Sequence, residues 1–267
     1  MGKGGCAVSG RARGADVRRG RGRGRGRWLP NQHGAWAMLA VPFLAGALLG
    51  GPRWAHVPLL VAWLLGYLAV YHAQQWVRLS RIRRTPKAPR RHVRPAVCCA
   101  AGAAALGLPL AVAYPWLLPA AACAVPFVGV NFLYAYANRE RALCNGLAAV
   151  VPACAMPLVT VRLGSGGPWS AGLGPALACL LYFAGTVLYV KTMIRERGSR
   201  TYYRASVAYH CAALLFVTAL SPWLAAPFAI FLLRAALLPG RGLRVGVVGA
   251  VEVACSVGLL GVVVGVL

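Results

Sequence analysis

Residues 54–77, WAHVPLLVAWLLGYLAVYHAQQWV, contain no Lys, Arg, Asp or Glu, whereas residues 78–94, RLSRIRRTPKAPRRHVR, carry eight Lys and Arg. A hydrocarbon layer about 30 Å thick is crossed by roughly 20 apolar residues in a helix, and cytoplasmic loops collect Lys and Arg. Together the two stretches read as a membrane-spanning helix followed by a basic loop on the cytoplasmic side.

Outward from this pair, apolar segments recur at approximately 34–51, 95–113, 115–137, 142–162, 170–192, 205–221, 223–238 and 243–267. With 54–77 they predict about nine spans, so the fold class is all-α, a polytopic membrane helix bundle. Tyr114-Pro115 and Ser221-Pro222 divide two of the neighbouring pairs, as tight turns between spans would. Residues 1–29 read as a disordered Arg/Gly-rich cytoplasmic tail and 30–267 as the transmembrane domain. The first apolar stretch begins late and is too long for the core of a leader peptide, so no cleavable signal is expected.

Composition agrees. The 267 residues are 59% hydrophobic and 12% charged with a mean hydropathy of +0.63, against about 25% charged in soluble domains. Asp16, Glu140, Glu196 and Glu252 are the only acids, which excludes chemistry that needs a carboxylate cluster. The nine cysteines lie mostly in apolar segments without a CxxC pair, so neither a disulfide framework nor a zinc site is expected.

The net charge of +25 first suggests a nucleic-acid binder, but its distribution argues otherwise. Of 29 Lys and Arg, 27 fall in the tail or in the loops after spans 2, 4, 6 and 8, leaving Arg53 and Arg162 opposite. That bias orients the chain with its N-terminus cytoplasmic and, over nine spans, its C-terminus outside. Anionic headgroups on the cytoplasmic side are the expected partners of these charges, and only the tail stretch 18–27, RRGRGRGRGR, retains an RNA-like character. The excess of Arg over Lys suits a GC-rich bacterial genome and thus a cell inner membrane.

Polar side chains within so apolar a bundle must face a partner or a wet cavity. They gather at the predicted cytoplasmic helix ends. His33 opens span 1 beside Gly34 and Trp36. Tyr71 and Gln75 share a face of span 2, as do Gln74 and Arg78. Span 4 leaves through Asn131, Tyr134, Asn138, Arg139, Glu140 and Arg141, with Asn145 just inside span 5; Glu140 between two arginines suggests a local ion pair. Lys191 and Arg195, four apart, form a like-charge pair suited to an anion or a lipid phosphate, and Arg200, Ser206 and His210 continue this region. Small-residue pairs Gly46/Gly50 and Gly261/Gly265 suit close helix packing. Glu252, deep in the last span, reads either as a relay carboxylate or, by preference, as a protonated acid hydrogen-bonded to a neighbouring helix.

The stretch Pro30-Asn31-Gln32-His33-Gly34-Ala35-Trp36-Ala37-Met38, with Asn138-Arg139-Glu140-Arg141 and Arg195-Glu196-Arg197-Gly198, resembles the YwiC-like family of bacterial integral membrane proteins over about 30–267. More distantly, the nine-span count, the long basic loop after span 2 and Tyr134-Ala135-Tyr136-Ala137-Asn138-Arg139 leading to Asn145-Gly146 resemble the UbiA-type prenyltransferases. That second resemblance implies a bundle binding an isoprenoid diphosphate through Mg²⁺ held by two aspartate-rich motifs. Registered on Arg84-Thr85, the first motif falls on Tyr71, Gln75 and Leu79; registered on Gly198 and Arg200, the second falls near Val190 and Ile194. No metal-binding carboxylate stands at these positions, while Arg84, Arg139 and Arg200 occupy comparable places. Mg²⁺ needs oxygen ligands that Gln75 alone cannot supply, so neither metal nor cofactor is expected.

The resulting expectation is a cytoplasm-facing polar and basic pocket that binds a lipid-like, isoprenoid or phosphorylated ligand through Tyr71, Gln75, Arg84, Arg139, Lys191, Arg195 and Arg200. The alternatives are a metal-independent prenyltransferase-like enzyme, with His33 or His210 as general acid or base, and a small-solute transporter or assembly factor.

Overall fold

Proline and glycine punctuate the apolar runs, and the helices follow that punctuation. The structure, a computed structural model, describes residues 28–30, 33–83 and 87–267, with His33 described by its backbone alone. Among the described residues eleven α-helices are formed: α1 (His33–Leu49), α2 (His56–Ile82), α3 (Lys87–Ala113), α4 (Leu117–Ala122), α5 (Val125–Tyr136), α6 (Leu143–Cys154), α7 (Met156–Ser165), α8 (Leu173–Ile194), α9 (Arg200–Leu220), α10 (Ala225–Leu237) and α11 (Val245–Val266). Short 3₁₀ turns precede α8 and α10. Seven helical segments among the described residues are long and apolar enough to cross a membrane, and Gly34–Leu49 and Pro222–Leu237 are shorter apolar helices. The nine apolar segments of the sequence are therefore all helical, and the chain is a polytopic helical membrane protein.

Two spans expected to be continuous are broken. Leu117–Tyr136 parts into α4 and α5 at Cys123 and Ala124, and Leu143–Ser165 parts into α6 and α7 at Ala155. Pro126 and Pro157 stand in the first turn after each break. A proline has no amide hydrogen, and its ring crowds the carbonyl four residues earlier, so the helix yields there and restarts.

The basic segment after α2 also differs from its reading as a long loop. Helix α2 continues to Ile82 and α3 already begins at Lys87. Pro89 lies in the first turn of α3, where a missing amide hydrogen leaves no helical bond unmade. Arg90, Arg91 and Arg94 are thus carried on helix.

The core centres on α8. Ala178, Cys179, Tyr182 and Phe183 pack with Val41 and Ala45 of α1, Val150 and Cys154 of α6, Ala213 and Val217 of α9, Phe228 and Phe231 of α10, and Leu259 and Val263 of α11. Outward-facing residues such as Val112 and Leu215 stay exposed, at 81% and 75%, as a face turned to lipid requires. Helix α1 crosses α7 backbone to backbone: a Cβ on Gly46 would stand 2.6 Å from Pro157 Cα, and one on Gly50 would stand 2.6 Å from the Val161 carbonyl oxygen. Only glycine allows this approach, as the spacing of the pair suggested. Gly261 and Gly265, by contrast, meet nothing within 4 Å and sit at no helix crossing among the described residues.

This arrangement leaves the broken helices α4–α5 and α6–α7, with α1, α2 and α3, around open space rather than around packed side chains.

Candidate functional site

Tyr67, Tyr71, Gln74 and Gln75 recur at helical spacing on α2. They line a cavity of about 570 Å³ together with Met38 and Leu39 of α1, Asn131 of α5, and Asn145, Ala149 and Pro152 of α6. Its polar end is organised by the turn between α5 and α6. There Asn138 adopts a left-handed conformation, φ 55°, which Asn tolerates better than most side chains, and Arg139 N–H donates to the Tyr134 carbonyl at 2.8 Å. The chain so reversed swings Glu140 back onto α2.

Glu140 is then shared between two donors. Gln75 Nε2 donates to Glu140 Oε1 at 3.0 Å, and the Arg78 guanidinium pairs with Glu140 Oε2 at 3.1 Å while its Nε donates to Asn138 Oδ1 at 2.8 Å. Beneath the carboxylate, Asn145 Nδ2 donates to the Glu140 carbonyl at 2.7 Å, and Asn131 Nδ2 donates to Asn145 Oδ1 at 2.8 Å. Glu140 thus pairs across the bundle with Arg78 rather than with its sequence neighbours Arg139 and Arg141. The charges of Glu140 and Arg78 cancel inside one network, which orients the amides of Gln75, Asn131 and Asn145.

A second cavity of about 610 Å³ adjoins the first and shares Trp63, Ala121, Ala124 and Pro152 with it. Its other walls are apolar, among them Leu59, Leu108, Leu117, Phe127 and Val159. The helix breaks contribute directly, since Cys123, Ala124 and Ala155 lie in its wall. Both volumes fall within the roughly 300–1,000 Å³ of small-molecule pockets. Side by side, the two cavities are polar on one side and oily on the other.

Of the residues the sequence singled out for ligand binding, Tyr71 and Gln75 line this space, together with Gln74, Asn131, Glu140 and Asn145 from the polar helix ends. Arg139 is exposed on the α5–α6 turn. Lys191 reaches the same turn, donating from Nζ to the Arg141 carbonyl at 3.0 Å and lying 5.5 Å from the Tyr202 ring. Arg195 caps α8; partial burial lowers its pKa, and the nearby Arg141 lowers it further. Lys191 and Arg195 therefore meet Arg141, not each other alone. Arg200 is exposed at the start of α9. His210 is buried, its Nδ1–H donating to the Ser206 carbonyl at 2.7 Å, in space left open by Gly185. None of Arg139, Lys191, Arg195, Arg200 and His210 is in the cavity walls. Arg84 and the side chain of His33 lie outside the described residues.

Sequence reasoning underrated Arg78, Gln74 and Tyr67 as site residues. Their signal was helical spacing from Tyr71, with Tyr67 four residues before it and Gln74 and Arg78 three and seven residues after it. It also misjudged Arg234, counted with the last basic loop. Arg234 is 5% exposed within α10 and forms an ion pair with Glu252 of α11, itself 4% exposed. The preferred reading of Glu252 as a protonated acid bonded to a neighbouring helix gives way to this pair. The guanidinium also lies 4.4 Å from the centre of the Tyr189 ring, and Tyr182 Oη and Ser256 Oγ donate to the Glu252 carbonyl at 3.1 and 2.7 Å.

With the geometry established, comparison with known proteins places the chain. The family described as YwiC-like protein matches residues 29–161. A protein of Haemophilus influenzae described as uncharacterized is 34% identical over 237 residues, covering 85% of this chain and 93% of the relative. The Bacillus subtilis protein YwiC, likewise described as uncharacterized, is 33% identical over 228 residues, covering 84% and 92%. The chain belongs to the YwiC-like family. Every described residue that lines the two cavities falls within 29–161, whereas the Arg234–Glu252 pair and the Lys191–Arg195 cluster lie beyond it. No solved structure matches the chain.

Proposed function

We propose that this YwiC-like protein holds a lipid-like molecule in the joined cavities, with the polar head between α2, α5 and α6 and the apolar body along α3, α4 and α7. The observation that carries this reading is the contrast between two adjoining cavities that share four wall residues: amides, tyrosines and the Glu140–Arg78 pair at one, aliphatic and aromatic walls at the other. A pocket of mostly apolar walls with a few placed polar groups is the usual form of a small-molecule site. The protein sits in the bacterial inner membrane with the head-binding end towards the cytoplasm. This orientation is supported by the Lys and Arg at the α2–α3, α5–α6, α8–α9 and α10–α11 connections, against Arg53 and Arg162 elsewhere.

A second contact is favoured by the convergence of Arg141, Lys191 and Arg195. In this reading the cluster takes an anionic headgroup at the membrane surface, outside the cavity.

The test is mass spectrometry of molecules that co-purify in mild detergent. A stoichiometric lipid or isoprenoid that survives Lys191→Ala and Arg195→Ala is expected for the cavity site. Loss in those two variants would move the principal site to the surface cluster, and the absence of any bound molecule would overturn the reading. For the topology, a C-terminal alkaline phosphatase fusion is expected to be active and a C-terminal fluorescent fusion dark. The reverse pattern would require an even number of crossings.

A further inference from the structure

We infer that the head of the cavity's ligand is uncharged and hydrogen-bonding, an alcohol or a comparable neutral oxygen group, rather than a phosphate or diphosphate. The inference rests on the lipid-binding reading above and narrows its ligand class. Among the described residues, neither cavity wall contains a Lys, Arg or His, and Glu140 is the one charged residue in them. Arg78, which neutralises Glu140, already gives Nε to Asn138 and a terminal nitrogen to the carboxylate. Among the described residues, an anion entering the polar end would therefore face the Glu140 carboxylate in the wall itself, with Arg91 acting on Tyr71 only from outside the wall, and like charges brought together out of water repel strongly.

What the polar end offers instead suits a neutral oxygen. Gln74, Tyr67 and Tyr71 line it beside Gln75 and Asn131, and amides and phenols both donate and accept. A hydroxyl, which also does both, can be matched by such a set without leaving a charge uncompensated, whereas a phosphate brings acceptors and negative charge to a wall that lacks matching cations. The basic cluster of Arg141, Lys191 and Arg195 lies apart from the cavity wall and leaves this preference intact.

The experiment compares geranylgeraniol with geranylgeranyl monophosphate, identical in tail and different in head, competing for the full chain in nanodiscs and read by native mass spectrometry. The alcohol is expected to bind at least about tenfold tighter, a factor that corresponds to about 1.4 kcal/mol. Glu140→Gln removes the charge, keeps a hydrogen-bonding side chain and frees Arg78. In that variant the ratio of the two affinities is expected to shift about tenfold towards the monophosphate, whatever change the alcohol's own affinity shows. Equal or tighter binding of the monophosphate to the unaltered chain would overturn the neutral-head inference and leave lipid binding standing. Failure of both probes to bind would overturn the lipid-binding reading itself, and the inference with it.

Discussion

Arg234→Met is expected to cost about 3–5 kcal/mol of stability, because it strands the Glu252 carboxylate in a site that is 4% exposed. Within a membrane the stranded charge has no water to turn to, and the Thr186 and Tyr182 hydroxyls beside the carboxyl are neutral and cannot replace a guanidinium. The loss should appear as a marked drop in the thermal unfolding midpoint in detergent. The pair itself is not expected to be strongly stabilising, since burying two charges costs nearly as much as their attraction returns. The double variant Arg234→Met/Glu252→Leu should therefore recover most of the loss. Arg234→Lys should fall between, since a lysine keeps the charge but not the flat guanidinium that lies 4.4 Å over Tyr189. Single variants as stable as the unaltered protein would show that the pair does not form.

Gly66→Phe is expected to abolish retention of the cavity's lipid without unfolding the protein. Gly66 lines the polar cavity on α2, and a Cβ added there meets nothing within 4 Å. A side chain at this point projects into the space a ligand would use, and replacing a mid-helix glycine removes a penalty of roughly 0.5–1 kcal/mol relative to alanine. Gly107 has the same freedom on α3 in the apolar cavity, so Gly107→Phe should exclude long tails first. The expected result is a bound-lipid signal reduced at least about tenfold in Gly66→Phe, with an unchanged or raised melting midpoint. Undiminished lipid in both variants would place the molecule elsewhere on the protein.

The polar cluster on α2 was legible before any coordinates because helical periodicity alone puts Tyr71 and Gln75 on one face. Its partner was not. Glu140 lies 65 residues from Gln75, and its sequence neighbours Arg139 and Arg141 pointed to a local pair that the left-handed turn at Asn138 does not make. The apolar cavity was equally hidden, since a wall of Leu, Ala and Phe has the same composition as a packed interface. What distinguishes the two is the pair of helix breaks, at Cys123–Ala124 and at Ala155, whose residues lie in the cavity wall.

Sequence by itself determined the membrane class, the helical segments and the charge bias of the connections, because each depends on composition and spacing within a single stretch of chain. Tertiary structure decided where the basic and acidic residues meet. Arg234 reads as one more loop arginine until α10 and α11 pack and bury it against Glu252. Arg78 reads as part of a positive patch until the α5–α6 turn brings Glu140 to neutralise it. Charge interactions act through space at a few ångströms, and sequence separation carries almost no record of that distance.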